Sequence, residues 1–416
     1  MEMERVAILS AGRTPIGAYM GVLKDVPVYE LAAQVLNEVV KRAGIKPEQV
    51  DDVILGSCYM NGESVNPARM SLLSAGWPLT VTGVSVDRRC ASSLEAMSIA
   101  GMKIQTHNAE IIVAGGAENM SQGEFYIPGN VKWNVGGAGD APRGHGSLAL
   151  TGMIMYDRIQ RGRVMSQPIH RFGVLPSMMS WGDLAAETEH ITREQCDAWA
   201  LKAHQKAVAA MDSGKFKEEI VPIVVPQKKG DPIVIDTDET PRRDTSLEKL
   251  AKLKSVLGGV STAGNSSAEN DGASAVVMTS ASFAKKHGLK PIAYLRSFAV
   301  GGADPRRTWE AVPIAVNRAL KIAGLTIDQM DLIEIQEAFA GQCLADVKEL
   351  GISWEDADKR VNVNGSGIAL GHPVGATGTM RMTTLLHEMK RRNAKYGLET
   401  ICGGGGLGIC AIVERD

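Results

Sequence analysis

Two cysteines and one histidine stand in settings that suit covalent chemistry. Cys90 follows Val84-Ser85-Val86 and precedes the small residues Ala91-Ser92-Ser93, where a helix is expected to begin. A thiol at a helix N-terminus meets the positive end of the helix dipole and free N–H groups, and both favour the nucleophilic thiolate. Arg88 and Arg89 precede Cys90 and add positive charge. His372 lies in Gly371-His372-Pro373, inside a Gly/Ala-rich run from Val361 to Gly378. Glycines there let the backbone approach a ligand closely. Cys402 follows Thr400-Ile401 and opens Cys402-Gly403-Gly404-Gly405-Gly406, which exposes its sulfur and the neighbouring N–H groups. That combination suits proton transfer beside an oxyanion site. The same glycines satisfy Gly-x-Gly-x-x-Gly, but the few residues after Gly408 read as a strand, leaving no helix to receive a dinucleotide phosphate. Of the other histidines, His145 and His170 are minor candidates. His107, His190, His204, His287 and His387 read as surface or helix residues.

The elements that must carry these residues read as α/β units. Strands are predicted at Val6–Leu9, Val53–Leu55, Val84–Val86 and Ile111–Ala114, with helices at Leu31–Ala43 and Ser92–Gln105. The second half repeats the theme. The block Ala43 to Asp51 matches the block Ala323 to Asp331 at a constant offset, and each leads into a strand. Val84-Ser85-Val86-Asp87 is then answered by Val361-Asn362-Val363-Asn364, so His372 occupies roughly the place in the second repeat that Cys90 has in the first. Duplication predicts two sheets packed around shared helices with the site between them. Residues 122–246 break the pattern. Gly136–Gly139 and Pro142–Gly146 read as loops, Ser177–Trp181 is Met-rich, and Thr192–Met211 reads as a helix capped by Thr192. The expected division is 1–121 with 247–283 as one core half, 122–246 as an inserted loop domain, and 284–416 as the other half.

The bulk composition excludes several classes. Lys and Arg number 45 against 47 Asp and Glu, which gives no reason to expect nucleic acid or an anionic membrane as partner. No apolar run is long enough to span a bilayer, and Met1 to Val6 lacks the pattern of a secretory signal. Six cysteines without a Cys-x-x-Cys pair predict reduced thiols in the cytoplasm and no zinc site.

As a set these stretches resemble the thiolase family. The marks are Cys90-Ala91-Ser92-Ser93-Leu94; Gly115-Gly116-Ala117-Glu118-Asn119-Met120-Ser121; Ala263-Gly264-Asn265-Ser266-Ser267 with Asn270-Asp271-Gly272; Glu337-Ala338-Phe339; Gly371-His372-Pro373-Val374-Gly375; and Cys402-Gly403-Gly404. The resemblance runs from about Val6 to Val413 and implies a duplicated α-β-α-β-α core with an inserted loop domain. It implies an acyltransferase that cleaves a 3-oxoacyl-CoA with coenzyme A, or runs the condensation in reverse, as in fatty acid or aromatic acid metabolism. By this resemblance Cys90 takes the acyl group, His372 activates it, and Cys402 is the acid/base. The N–H groups of Cys90 and Gly404 form an oxyanion hole. Ser267 matches a serine on the pantetheine arm and Arg242 a position at the nucleotide end. Coenzyme A is then a substrate, with no permanently bound cofactor. A homodimer or homotetramer is implied, with an auxiliary subunit as a further possibility.

One departure stands out. The family has Asn before Glu-Ala-Phe, where it holds an oxyanion-hole water; here the residue is Gln336. Its extra methylene adds roughly 1.3–1.5 Å of reach, enough for the amide to replace or shift that water. Together with Asp304 to Pro313 and the Met-rich segment, this predicts an acyl group other than simple acetyl. Two rivals are a condensing enzyme of the ketosynthase or hydroxymethylglutaryl-synthase type, against which Cys402-Gly403-Gly404 argues, and a non-catalytic or partner-dependent CoA- or acyl-binding homologue.

Overall fold

The computed structural model describes residues 4–127, 154–227 and 229–416. Gly136–Gly139, Pro142–Gly146 and the candidate His145 lie outside the described residues. The first half contributes β1 (Val6–Arg13), α1 (Val28–Arg42), β2 (Asp52–Gly56), β3 (Thr82–Val86), α2 (Ser92–Gln105) and β4 (Ile111–Asn119). The intervening segment carries α3 (Met179–Thr188) and α4 (Arg193–Asp212), and β5 (Asn270–Ser280) returns to the sheet. The second half follows with β6 (Ala293–Gly302), α5 (Ala311–Ala323), β7 (Leu332–Ile335), α6 (Ala340–Glu349), α7 (Thr377–Arg392), β8 (Tyr396–Gly403) and β9 (Leu407–Glu414).

The strand order is β7-β8-β9-β6-β1-β5-β4-β2-β3, with the short segment Gly17–Ala18 paired to β5. The two halves are built alike. In the first, β3, β2 and β4 run parallel, and β5 and β1 are added antiparallel. In the second, Val361 bridges Ile333 in the place of β3; β7 and β8 are parallel, and β9 and β6 are added antiparallel. The halves are not separate sheets, as the repeat had suggested. Val6–Ile8 of β1 pairs with Ala293–Leu295 of β6, making one continuous sheet. A bulge between Ile8 and Ser10 shifts the register of β1 against β5 just beyond that contact.

Alternation along the strands sets the layers. Ala7, Leu9, Val53, Leu55, Ile111 and Val113 face α1, while Ile8, Ile54, Ile112 and Ala114 face the centre. The central layer is formed by α2 (Leu94, Met97, Ala100) and α7 (Met382, Leu385, Met389). Ile401, Ile409 and Ala411 close it from the other half, whose opposite face packs Leu398, Cys410 and Ile412 on α5. A one-residue slip would turn each of these side chains to the opposite face and mismatch both layers; the Val, Leu, Ile and Met among them are each worth about 1.5–3 kcal/mol when buried. The five layers are therefore α1, strands, α2 with α7, strands, and α5 with α6.

The repeat is visible in detail. The short helical turns Pro47–Gln49 and Ile327–Gln329 fall at matching places after helices α1 and α5. Gly44 and Gly324, which end those helices, have φ of 72° and 69°, left-handed values that favour glycine. In the insertion, α4 begins as expected, with the Thr192 hydroxyl accepting from the Gln195 N–H at 3.3 Å. No helix among the described residues is long and apolar enough to cross a membrane.

Candidate active site

A cavity of about 270 Å³ opens where the two halves and the insertion meet. Cys90, His372, Cys402, Gly404 and Ser267 all line it, joined by Met178, Met179, Trp181 and Phe339. Each reactive residue arrives from the end of a core element. Cys90 lies in the turn between β3 and α2. Arg89 there has φ of 55°, a strained value for a long side chain. Asp87 holds the turn by accepting from the Arg89 N–H at 2.7 Å, and the Ser92 hydroxyl accepts from the Arg88 N–H at 2.8 Å.

His372 follows Gly371, whose φ of 95° and closeness to Asn270 leave no room for a side chain; an added Cβ would sit 2.5 Å from Asn270 Cγ. The His372 N–H donates to Asn270 Oδ1 at 2.8 Å. The ring is oriented by Thr377, whose Oγ1 lies 2.7 Å from Nδ1. The Thr377 hydroxyl donates its proton to the Pro373 carbonyl at 2.9 Å. It therefore accepts from Nδ1–H, which leaves the Nε2 lone pair free to take a proton. Burial, with Arg381 and Arg163 nearby, pushes the His372 pKa down to about 3 and keeps the ring neutral. Cys402 is the penultimate residue of β8, paired to Gly408 across a hairpin whose turn spans Gly404–Gly406.

The Cys90 thiol departs from the expectation of a ready thiolate. Burial pushes its pKa up to about 11, against the pull of the Gly404 N–H, Arg89 and its own N–H. Desolvation outweighs the dipole here, and Arg88 is occupied in an ion pair with Glu95 at 2.9 Å. Burial raises Cys402 well above the usual thiol range, and the neighbouring Cys90 adds to this.

Two expected residues are not brought to the cavity. Gln336 is fully buried; its Oε1 accepts from Arg381 Nε at 3.2 Å, its Nε2 has no partner among the described residues, and a side chain at Gly367 would collide with that nitrogen. The longer amide at the end of β7 is drawn towards a buried cation and does not itself line the cavity. Arg381 in turn donates to the Gly371 carbonyl at 2.7 Å, so Gln336 touches the histidine loop only through this arginine. Arg242 lies on an exposed loop, where its N–H donates to His204 Nδ1 at 3.1 Å. His170 is exposed. His204 and His387 lie on helices α4 and α7 and are enclosed there; burial lowers the His204 pKa to about 4.

Glu118, inside the motif Gly115–Ser121, has a role that its sequence context does not reveal. Its buried carboxylate accepts from the N–H groups of Cys58 at 2.8 Å, Tyr59 at 3.1 Å and Gly375 at 2.9 Å. It ties the loop after β2 to the loop that carries His372. The available signal was a carboxylate inside an otherwise small and apolar strand. Among the described residues no group of three or more His, Cys, Asp or Glu side chains is arranged to hold a metal ion.

Comparison with known proteins agrees with this geometry. Residues 6–282 match the family described as thiolase, N-terminal domain, and residues 289–415 match thiolase, C-terminal domain. An acetyl-CoA acetyltransferase of Pseudomonas aeruginosa is 42% identical, with 100% of each chain covered. One of Syntrophomonas wolfei is 42% identical, with 98% of each covered. The crystal structure of the Bacillus anthracis acetyl-CoA acetyltransferase superposes with a TM-score of 0.89 at 39% identity, covering 99% of both chains. Human mitochondrial 3-ketoacyl-CoA thiolase gives a TM-score of 0.87 at 34% identity, again covering 99% of both. A duplicated fold, a cavity that gathers both cysteines and the histidine, and full-length similarity place the chain in the thiolase family.

Proposed function

We propose that this chain cleaves a 3-oxoacyl-CoA with coenzyme A, or condenses two acyl-CoA molecules in the reverse direction, through an acyl-enzyme on Cys90. The single observation that carries this reading is that Cys90, His372, Cys402 and Gly404 line one cavity. In cleavage, His372 Nε2 takes the Cys90 proton and the sulfur attacks the 3-oxo carbon. The bond between C2 and C3 breaks, Cys402 gives its proton to the C2 carbanion, and acetyl-CoA leaves. The Cys402 thiolate then takes the proton of incoming coenzyme A, whose sulfur attacks the Cys90 thioester. Cys90 departs and regains its proton from His372. The covalent intermediate divides one difficult displacement into two, and the Gly404 and Cys90 N–H groups stabilise the tetrahedral oxyanions.

Ser267, on the cavity wall, is assigned to the pantetheine arm, and Arg242 to the nucleotide end of coenzyme A. Gln336 is assigned a positioning role through Arg381. A cytoplasmic enzyme is supported by six free cysteines. Self-association is supported by β3, which lies at the end of the sheet order, and by Val65, Leu79 and Val84 near it, which are exposed by 71%, 77% and 42%. A coenzyme A-dependent thiolysis assay on a panel of 3-oxoacyl-CoA esters tests the reading. Cys90→Ala is expected to abolish turnover, and Cys402→Ala to lower it by at least 100-fold. Equal turnover by wild type and Cys90→Ala would remove the enzymatic assignment.

A further inference from the structure

The wall beside the nucleophile carries a charge that the reaction above does not use. Cys58, Met120, Ile159 and Val374 form a small apolar cluster against which Cys90 and Tyr59 pack. Arg89 lines the cavity at this wall, and its Nη1 donates to Cys58 Sγ at 3.7 Å. A thiol sulfur is a weak acceptor for a guanidinium. Among the described residues Arg89 has no carboxylate within ion-pair distance, whereas the other arginine of the cavity, Arg163, is neutralised by Glu269 at 2.7 Å. A half-enclosed guanidinium beside an apolar wall, with no ion-pair partner among the described residues and only the charge of Asp87 further off, is costly, and its backbone is held in a strained turn.

We propose that Arg89 receives a carboxylate at the distal end of the acyl chain carried by Cys90, so that the preferred substrate is a 3-oxoacyl-CoA derived from a dicarboxylic acid. This rests on the thiolase reading and deepens it. The acyl group on Cys90 has the apolar wall on one side, which suits methylenes. The guanidinium belongs to the adjacent residue, whose Cα is about 3.8 Å from that of Cys90. Both residues line the same cavity, so a short acyl chain on the sulfur and the guanidinium share one space. The forked donors of arginine match a carboxylate in a way that a point charge does not. The phosphates of coenzyme A lie at the far end of the pantetheine arm from the reacting sulfur, so they do not compete for this position.

The test compares two six-carbon substrates, 3-oxoadipyl-CoA with its terminal carboxylate and 3-oxohexanoyl-CoA with a terminal methyl, on the full-length enzyme. The wild type is expected to show a kcat/KM at least tenfold higher for the carboxylated ester. Arg89→Gln is expected to lower that ratio by at least tenfold, and Arg89→Lys to restore part of it. A role of Arg89 in the folded turn or on the Cys90 thiol alone would lower both substrates together and leave the ratio unchanged, which overturns the proposal. Equal or better turnover of the methyl-terminated ester by the wild type also overturns it, while leaving the thiolase reading intact. Failure of both esters to acylate Cys90 would remove the thiolase reading and this proposal together.

Discussion

A thiol enclosed by protein loses the water that would stabilise its charge, and at Cys90 this loss outweighs every favourable neighbour. The resting sulfur is therefore mostly protonated below about pH 11, and in the free enzyme its reactivity follows the small thiolate fraction. Below the pKa the thiolate fraction rises about tenfold per pH unit. Alkylation of the free enzyme at Cys90 by iodoacetamide is expected to climb steadily from pH 7 to 10. His372, neutral above about pH 3, adds no inflection in that range. A plateau reached below pH 8 would contradict this. The three reactive residues were legible because each stands beside small residues at the end of a strand or in a tight turn. Arg89 and Glu118 were not, because their roles depend on what lies across from them. Gln336 shows the same limit: its reach was legible, but the buried Arg381 that redirects it was not.

Among the elements, α2, α4 and β2 begin and end within a few residues of the sequence reading, since caps, glycine stops and apolar spacing are local signals. The strand β4 was read too short. Glycines at 115 and 116 suggested a break, yet the strand runs on to Asn119 because β5 pairs along its whole length. Helix α7 is expected only as the helix that follows Val361–Asn364, with no bounds; it begins directly after the glycine run and is anchored by contacts both within the helix and beyond it. Its Glu388 accepts from Arg391 and Arg392 at 2.7 Å and from Asn364 at 3.1 Å, with Lys215 of the insertion at 3.3 Å. Burial alone would raise its pKa, but these partners bring it down to about 2. Its contribution is thus present above the unfolded value near 4.5 and is lost as pH falls from there towards 2. Glu388→Gln is expected to cost about 1–3 kcal/mol at pH 7 by urea unfolding. The gap from wild type should narrow below pH 4.5. Equal stability at pH 7 would show that α7 does not need this anchor.

At the scale of the molecule, the duplication was legible from two matched blocks, and the shared central layer of α2 and α7 followed from it. The merging of both halves into one sheet was not legible, because it depends on three residues of β1 and a bulge. The unpaired edge at β3 predicts association through a second copy. Sedimentation equilibrium should give two or four times the 44.4 kDa chain mass, and Val84→Lys should shift it downward; a monomeric wild type would contradict this. The central claim concerns the meeting of the two halves over one sulfur. Intact-protein mass spectrometry after incubation with 3-oxoacyl-CoA esters, without free coenzyme A, tests it most directly. The account predicts one added acyl mass per chain, mapped to Cys90 by peptide analysis and removed when coenzyme A is supplied. An adduct on another residue, or none in a correctly folded protein, would contradict it.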